Sequence, residues 1–322
     1  MKATLVMRQA VRPWLTTLLP TFAPGENILI AVSGGADSLA LAAALYLESQ
    51  ELAINLIPII IDHGLQSGSD LIAENAAQRL REIGFHQVDI RKVAVEITDG
   101  VEASARRARY QAFDQALQEF NAHSIFLGHT LNDQAETVLL GLARGSGTRS
   151  LSGMASESAD RKYLRPLLGV SRDVTVESCR EQGIEFWSDP HNENEDFTRV
   201  RVRKNILPRL ESELGPGIIE SLARSAKILR EDADALDQLA ADYRRVHPDL
   251  IVEELEALPK AVRIRVLRSA IYEAGAPAGS ITATHIEPVE ALVTSWRGQG
   301  EASLPGGVKV SRISGRLSLS HP

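Results

Sequence analysis

The chain has a single cysteine, Cys179, in 322 residues. One thiol excludes an internal disulfide, a CxxC redox pair and a multi-cysteine metal site. No apolar run reaches the roughly 18 residues needed to cross a bilayer. Residues 1–20 mix apolar and basic positions, but Arg8, Arg12 and Pro13 interrupt any signal-like block. That segment reads as a short amphipathic helix leading into the first strand. No internal repeat and no low-complexity tract is present. Together these absences point to a cytoplasmic protein without membrane association. Positive charge is also in deficit: the formal net charge of −7 argues against non-specific nucleic-acid binding by the whole surface.

The apolar fraction of 44% and charged fraction of 24% are those of a soluble globular chain, and the length suffices for two domains. Residues 1–190 alternate strand and helix patterns. Strands are expected at 27–32, 55–62, 88–93, 124–128 and 184–187. Helices are expected at 37–50, 70–83, 101–120, 132–143 and 172–182. Alternation of this kind predicts an α/β fold with a parallel sheet covered on both faces. From Pro216 the pattern turns helical, with a long seam over 218–243 and further helices near 259–274 and 285–295. The tail carries Pro305-Gly306-Gly307 and Ser314-Gly315 between short alternating runs, the mark of a hairpin or small meander. The expected division is a catalytic α/β domain over 1–215 and a smaller, mainly helical docking domain over 216–322, ending in a β element.

The run 28–32 reads as a buried strand that stops at Ser33-Gly34-Gly35, and a helical pattern starts at Leu39. Strand, glycine turn and helix start are the parts of a phosphate cradle. The glycines let backbone N–H groups approach an anion, and the helix dipole favours negative charge there. No Lys-Ser or Lys-Thr follows, so this is not the Walker loop. Asp37 would repel a bare phosphate, and a bridging Mg²⁺ reconciles the two. The plain alternative is a tight turn capped by Asp37 or Ser38.

Two further segments fall at strand ends, where parallel sheets bind ligands. One is Asp62-His63-Gly64; the other is Gly128-His129 with the helix start behind it. Asp133 and Glu136 are three apart and share a helix face, a spacing close to a capping box and equally able to hold Mg²⁺ or an incoming amine. His129 is either structural or a phosphate or substrate contact. Arg199, Arg201, Arg203, Lys204 and Arg209 crowd a stretch with no acid in it. Arg224, Lys227 and Arg230 follow at helical spacing, and Arg144, Arg149, Arg161, Lys162 and Arg165 form another group. These are either solvated faces or a confined polyanion site.

Ser33-Gly34-Gly35-Ala36-Asp37-Ser38 resembles the Ser-Gly-Gly-x-Asp-Ser loop of the PP-loop, or N-type, ATP pyrophosphatases. His129-x-x-x-Asp133-Gln134-Ala135-Glu136-Thr137, followed by Leu142-Ala143-Arg144-Gly145-Ser146-Gly147, resembles the short form of the tRNA(Ile)-lysidine synthetases. Other pieces fall in that family's order. They are Asp62-His63-Gly64-Leu65; Glu102, Arg106, Arg109 and Tyr110; Arg165-Pro166-Leu167-Leu168; Asp189-Pro190-His191-Asn192 with Arg199 and Arg203; and Leu304-Pro305-Gly306-Gly307-Val308. Thr130, His191 and Val200 depart from the family's usual His, Ser and Asn.

The resemblance implies a PP-loop ATP-pyrophosphatase (Rossmann-like) domain and a specific ligation. The wobble cytidine (C34) of a CAU-anticodon isoleucine tRNA is adenylated at its C2 oxygen. Free L-lysine then displaces AMP, giving lysidine, AMP and pyrophosphate. ATP and Mg²⁺ are the implied cofactors, tRNA(Ile) and lysine the partners, and a homodimer is left open. The resemblance assigns Asp37, Asp133 and Glu136 to catalysis, with Asp37 also as metal ligand. It sets Ser33, Gly34, Gly35, Ala36, Asp37, Ser38, Asp62, His63, Gly128 and His129 around ATP. Arg106, Arg109, Arg144, Arg165, Asp189, Asn192, Arg199 and Arg203 fall to substrate and tRNA. The alternatives are a tRNA-thiolating PP-loop enzyme, which would need paired cysteines, and a catalytically inactive tRNA- or nucleotide-binding protein, against which Asp37, Asp133 and Glu136 stand intact. A glutamine-dependent synthetase would need a glutaminase part with a cysteine nucleophile.

Overall fold

A computed structural model of the chain describes residues 2–18, 26–64, 68–98, 100–145, 147–189, 193–277 and 279–321, without the side chain of Glu102. The elements in order are α1 (Lys2–Leu18), β1 (Glu26–Val32), α2 (Ala36–Ser49), β2 (Ile54–Asp62), α3 (Ser69–Ile83), β3 (Asp89–Lys92), α4 (Val101–Glu119), β4 (Ala122–Phe126), α5 (Leu131–Ala143), α6 (Thr148–Leu151), β5 (Tyr163–Leu164) and α7 (Arg172–Glu181). The strands form one parallel sheet in the order β3-β2-β1-β4-β5.

Side chains alternate across a strand, and β1 is apolar on both faces. Ile28, Ile30 and Val32 join the core made with α1, α2, α3 and α7; Leu29 joins Phe113, Ala116 and Leu117 of α4 on the other face. The chain winds from β1 to β2 and β3 on one side, then returns to place β4 and β5 on the other. The strand order therefore reverses between β1 and β4, and their carboxyl ends open a crevice there. The loop after β1 and the start of α5 both lie at that crevice.

The fifth strand is not at 184–187. It is the two-residue β5, which pairs Tyr163 with Ile125 and Leu164 with Phe126. Two residues are too short to show a period. The segment 184–187 runs along the glycine loop instead, and the Trp187 N–H donates to the Gly34 carbonyl at 2.9 Å. Helix α7 is tied at its far end: Glu181 accepts from the Ala3 N–H, the Thr4 N–H and the Thr4 hydroxyl at 3.2, 2.9 and 2.7 Å. Those bonds satisfy donors at the start of α1 that a helix leaves open.

Further along come α8 (Thr198–Arg201), a π-helical turn (Val202–Ile206), α9 (Leu207–Leu214), α10 (Ile218–Val246), α11 (Val252–Ala257), α12 (Lys260–Glu273) and α13 (Ala283–Thr294). The tail is a three-stranded antiparallel meander of β6 (Ala302–Ser303), β7 (Lys309–Ile313) and β8 (Arg316–Ser320). The chain separates into two compact units, Met1–Lys227 and Ile228–Pro322, so the division falls inside α10 rather than before it. Ile219 and Leu222, in the first turns of α10, pack with Ala135, Val202 and Leu207 of the first unit. The second unit has its own core of α11, α12, α13 and the meander, centred on Leu255, Val266, Val289 and Val308. No helix among the described residues is long and apolar enough to cross a membrane.

Candidate functional site

The glycine loop is built from its own backbone. Gly34 has φ +83°, the left-handed region, and a Cβ there would meet the Ala76 Cβ at 3.2 Å. Ser38 is buried; its Oγ accepts from the Ser33 N–H at 3.1 Å and donates to the Gly35 carbonyl at 3.0 Å. The Ser38 hydroxyl thus closes the loop. Gly35 gives α2 no side-chain cap, so the first turn of that helix is left for an anion. Gly128 lies against the same turn. A Cβ on it would meet the Asp37 carbonyl carbon and oxygen and the Ser38 Cα at 3.2 Å.

Beyond the loop, three acids and three arginines interlock. Asp37 is in the first turn of α2, Asp133 and Glu136 in the first turns of α5. Arg172 reaches all three: Nε to Asp37 Oδ2 at 3.2 Å, Nη2 to Asp133 Oδ1 at 3.1 Å, Nη1 to Glu136 Oε1 at 3.5 Å. Arg199 Nε lies 2.7 Å from Glu136 Oε2, and Arg203 Nε 3.4 Å from Glu136 Oε1. The Glu136 side chain is fully buried. Asp37 Oδ1 accepts from the Thr175 hydroxyl. Asp133 Oδ2 accepts from the Thr130 N–H at 2.8 Å and the Thr130 hydroxyl at 2.9 Å, a capping box that coexists with the ion pairs.

The two aspartates titrate in opposite directions. Burial raises the Asp37 carboxyl above its usual range, more than Arg172 and Thr175 draw it down, and nearby Asp133 adds to the rise. Burial works on Asp133 too, but Arg172, the Thr130 N–H and Arg199 outweigh it and hold that carboxyl low.

Two histidines line the strand ends. Burial takes His129 down to about 4, and Arg165, Arg199 and Arg106 add to that against the pull of Asp133. Burial likewise takes His63 to about 4, with Arg109 adding to it. Asp62 accepts from the Gly64 N–H at 2.9 Å; burial raises its carboxyl, but Ser69 and Gly64 more than offset this and it lies low. His63 Nδ1, His129 Nδ1 and Asp62 Oδ2 are buried without a hydrogen-bond partner among the described residues. Buried polar atoms of this kind call for a partner, and the hydroxyls and base of a nucleotide supply donors and acceptors. Arg106 lies over the Tyr110 ring at 4.9 Å, and Arg165 Nη2 donates to the Tyr110 hydroxyl at 3.5 Å.

The fold therefore gathers Asp37, Asp133, Glu136, Arg199 and Arg203 directly, with Arg106, Arg109 and Arg165 close to the two histidines. Arg144 is not part of this group. It is the exposed C-cap of α5, about 16 Å along the helix from Asp133. Asp189 is half-buried, two residues beyond the Trp187 contact to the loop. Asn192, with Pro190 and His191, lies outside the described residues.

Arg172 and Thr175 were not expected from the motifs. One signal was present: Arg172 opens a helix, where the dipole disfavours a cation. The stretch 199–209 lacks acids in sequence but not in space. Lys204 pairs with Glu193 at 2.6 Å, Arg209 with Glu213 at 3.0 Å, and Arg201 donates to the Glu195 and Asp196 carbonyls at 2.6 and 2.9 Å.

Among the described residues no group of three or more His, Cys, Asp or Glu side chains could hold a metal ion. Both Asp37 oxygens are already engaged. Mg²⁺ is commonly held by one or two carboxylates plus substrate phosphates. The donor set fits an ion that arrives with a nucleotide, which Asp37 would hold. Cys179 is buried and its thiol is pushed up to about 12 by burial and by Asp37, which makes it a poor nucleophile.

Residues 7–210 match the family model of the PP-loop domain, and residues 250–318 match that of the TilS substrate binding domain. The chain is 51% identical over 309 residues to a tRNA(Ile)-lysidine synthase of Streptomyces coelicolor, covering 93% of this chain and 88% of that protein. It is 45% identical over 319 residues to a tRNA(Ile)-lysidine synthase of Thermobifida fusca, covering 98% and 97%. Among solved structures, the U34-tRNA thiolase NcsA from Methanococcus maripaludis with its [4Fe-4S] cluster superposes with a TM-score of 0.59 at 19% identity, over 71% of this chain and 80% of that one. That likeness is one of fold.

Proposed function

The chain belongs to the tRNA(Ile)-lysidine synthase family of PP-loop enzymes, and we propose from this that it joins free lysine to C2 of the wobble cytidine (C34) in a CAU-anticodon isoleucine tRNA. The observation that carries the reading is the placement of Asp133 and Glu136 beside Asp37 of the glycine loop, joined through Arg172.

The chemistry needs two steps. The C2 oxygen of cytosine is a poor leaving group. Attack of that oxygen on the α-phosphorus of ATP forms an O–P bond, breaks the bond to the β-phosphate and releases pyrophosphate. The ε-amine of lysine then attacks C2, the C2–O bond breaks, and AMP leaves. The turn at Ser33–Ser38 and the uncapped start of α2 would hold the phosphates. Asp37 would hold Mg²⁺ carried by the nucleotide, which supplies charge neutralisation at the departing pyrophosphate. His63, Asp62 and His129 would meet the adenosine with their unpartnered atoms.

A lysine amine has a pKa of about 10.4 and must lose a proton before attack. Asp133 and Glu136 would bind it and accept that proton. The target base has to leave its stack to reach the site. Arg106, Arg109 and Arg165, together with Arg199 and Arg203, would offer cationic groups to the RNA around that base. Arg201, Lys204 and Arg209 would hold more distant phosphates, since exposed ion pairs and hydrogen bonds are weak enough to exchange. Replacing these three by Ala should flatten the salt dependence of tRNA binding by up to about 0.7–0.9 log units per lost contact. An unchanged slope would return them to the role of solvated charge.

A thiolation reading lacks its chemistry, because Cys179 is the only cysteine and is buried. The deciding experiment is mass spectrometry of nucleosides from tRNA(Ile) incubated with the protein, ATP, Mg²⁺ and lysine. Lysidine with AMP and pyrophosphate is expected. Sulfur in the tRNA, or ADP and phosphate as products, would sink the reading.

A further inference from the structure

Among the described residues, Arg172 is the cation that touches all three acids of the site. The acids depend on it unequally. Arg199 reaches Glu136 at 2.7 Å and Asp133 at 3.8 Å, and Arg203 reaches Glu136 at 3.4 Å. If Arg172 turns away, Asp133 and Glu136 each keep an arginine. Asp37 keeps the Thr175 hydroxyl but no cation within ion-pair distance among the described residues.

The helix that carries Arg172 does not favour it there. It is the first residue of α7, where the dipole prefers negative charge. The acids hold it, while Thr175 one turn on fixes α7 to Asp37 and Glu181 fixes the other end to α1. Asp37 is the second residue of α2, directly after the glycine loop. A triphosphate seated on that helix start therefore lies one side chain from the guanidinium. Phosphate offers a guanidinium fork the same two-point contact as a carboxylate, with more charge.

We infer that Arg172 exchanges partners in the catalytic cycle: without nucleotide it bridges Asp37, Asp133 and Glu136, and on ATP binding its guanidinium moves to the phosphates and leaves Asp37 free. This rests on the PP-loop reading above. No covalent bond forms or breaks at Arg172. Its consequence is that one event both binds the phosphates and clears the metal-binding carboxylate. In the empty site Asp37 stays paired, and only the loaded one presents it free.

The test compares wild type, Arg172→Ala and Arg172→Gln in the absence of tRNA. Titration calorimetry gives the affinity for ATP with Mg²⁺, and the thermal midpoint is read with and without that ligand. Circular dichroism checks the fold. Loss of a charged bond to phosphate weakens ATP binding by about 10- to 100-fold. The rise in midpoint on adding ATP shrinks in parallel. Both variants also melt lower when empty, because three carboxylates lose a shared partner. A role confined to neutralising the acids gives a lower empty midpoint with unchanged ATP affinity, and that result overturns the inference. If Arg172→Ala does not fold, Arg172→Gln decides by the same criterion. Wild type is assayed for lysidine in parallel. An inactive wild type defeats the family reading; an active wild type with unchanged ATP affinity in the variants defeats only the exchange.

Discussion

Arg199 on α8 donates from Nε to Glu136 Oε2 on α5 at 2.7 Å, and Glu136 has no side-chain exposure. A fully buried carboxylate is tolerated because Arg172 and Arg203 also lie within 3.5 Å of its other oxygen. Glu136→Gln keeps the shape and removes the charge. Three guanidiniums would then face two carboxylates. The expected loss is about 3 kcal/mol of folding stability, the usual cost of deleting one partner of a buried pair. Urea unfolding measures it, and a loss below about 0.5 kcal/mol would show that the arginines find other partners.

Asp37→Asn should separate chemistry from folding. Asp37 is an acid whose carboxyl is raised by burial, so its charge costs stability at neutral pH rather than adding to it. The variant is expected to fold, with a stability change of about 1 kcal/mol or less. Pyrophosphate release should fall on the order of 10²- to 10³-fold. Near-wild-type adenylation in a folded variant would reduce Asp37 to a structural acid.

Gly128→Ala probes the contact between the end of β4 and the glycine loop. The added methyl meets backbone atoms of Asp37 and Ser38 at 3.2 Å, which cannot rotate away as a side chain would. The expected cost is about 1–3 kcal/mol, with a raised KM for ATP because the loop must shift. An unaltered KM alongside full stability would mean that the loop yields freely.

The two site histidines set a pH dependence. His63 and His129 lie at about 4 in the folded protein against an ordinary 6.5. The unfolded chain therefore takes up these protons first. Their contribution to stability is whole above about pH 6.5 and is lost as the pH falls towards 4, by at most about 1.4 kcal/mol per pH unit for each group. Asp37, with its raised carboxyl, works the other way at the acid end. Thermal midpoints between pH 4 and 7 should show the fall, and His129→Asn should flatten it. NMR titration of either imidazole near 6.5 would contradict the burial argument.

Local patterns carried much of the architecture. The continuous apolar runs of β1 and α2 and the 3.6-residue periods of α3, α5 and α7 stand within a residue or two of the expected bounds. Such elements bury whole faces, and a buried face leaves a period in the sequence. The glycine loop was legible because a left-handed Gly34 and a close-packed Gly128 leave residue types that can be read directly. Element β5 was not, because two residues carry no period and its place is set by pairing with β4.

The order of residues alone sets the parts: a parallel α/β unit, a glycine turn at the end of its first strand, two acids on one helix face, and the family to which the motifs point. Which charges meet is settled by folding in three dimensions. Arg172 lies 135 residues from Asp37 in sequence, yet their side chains form an ion pair. Glu193 and Glu213 flank a stretch that reads as free of acids, and they neutralise two of its cations. Ion pairs depend on distances of a few ångströms and leave no periodicity along a chain. Chain reversal between β1 and β4 brings α2, α5 and α7 to one crevice, and that convergence turns separate charges into a site.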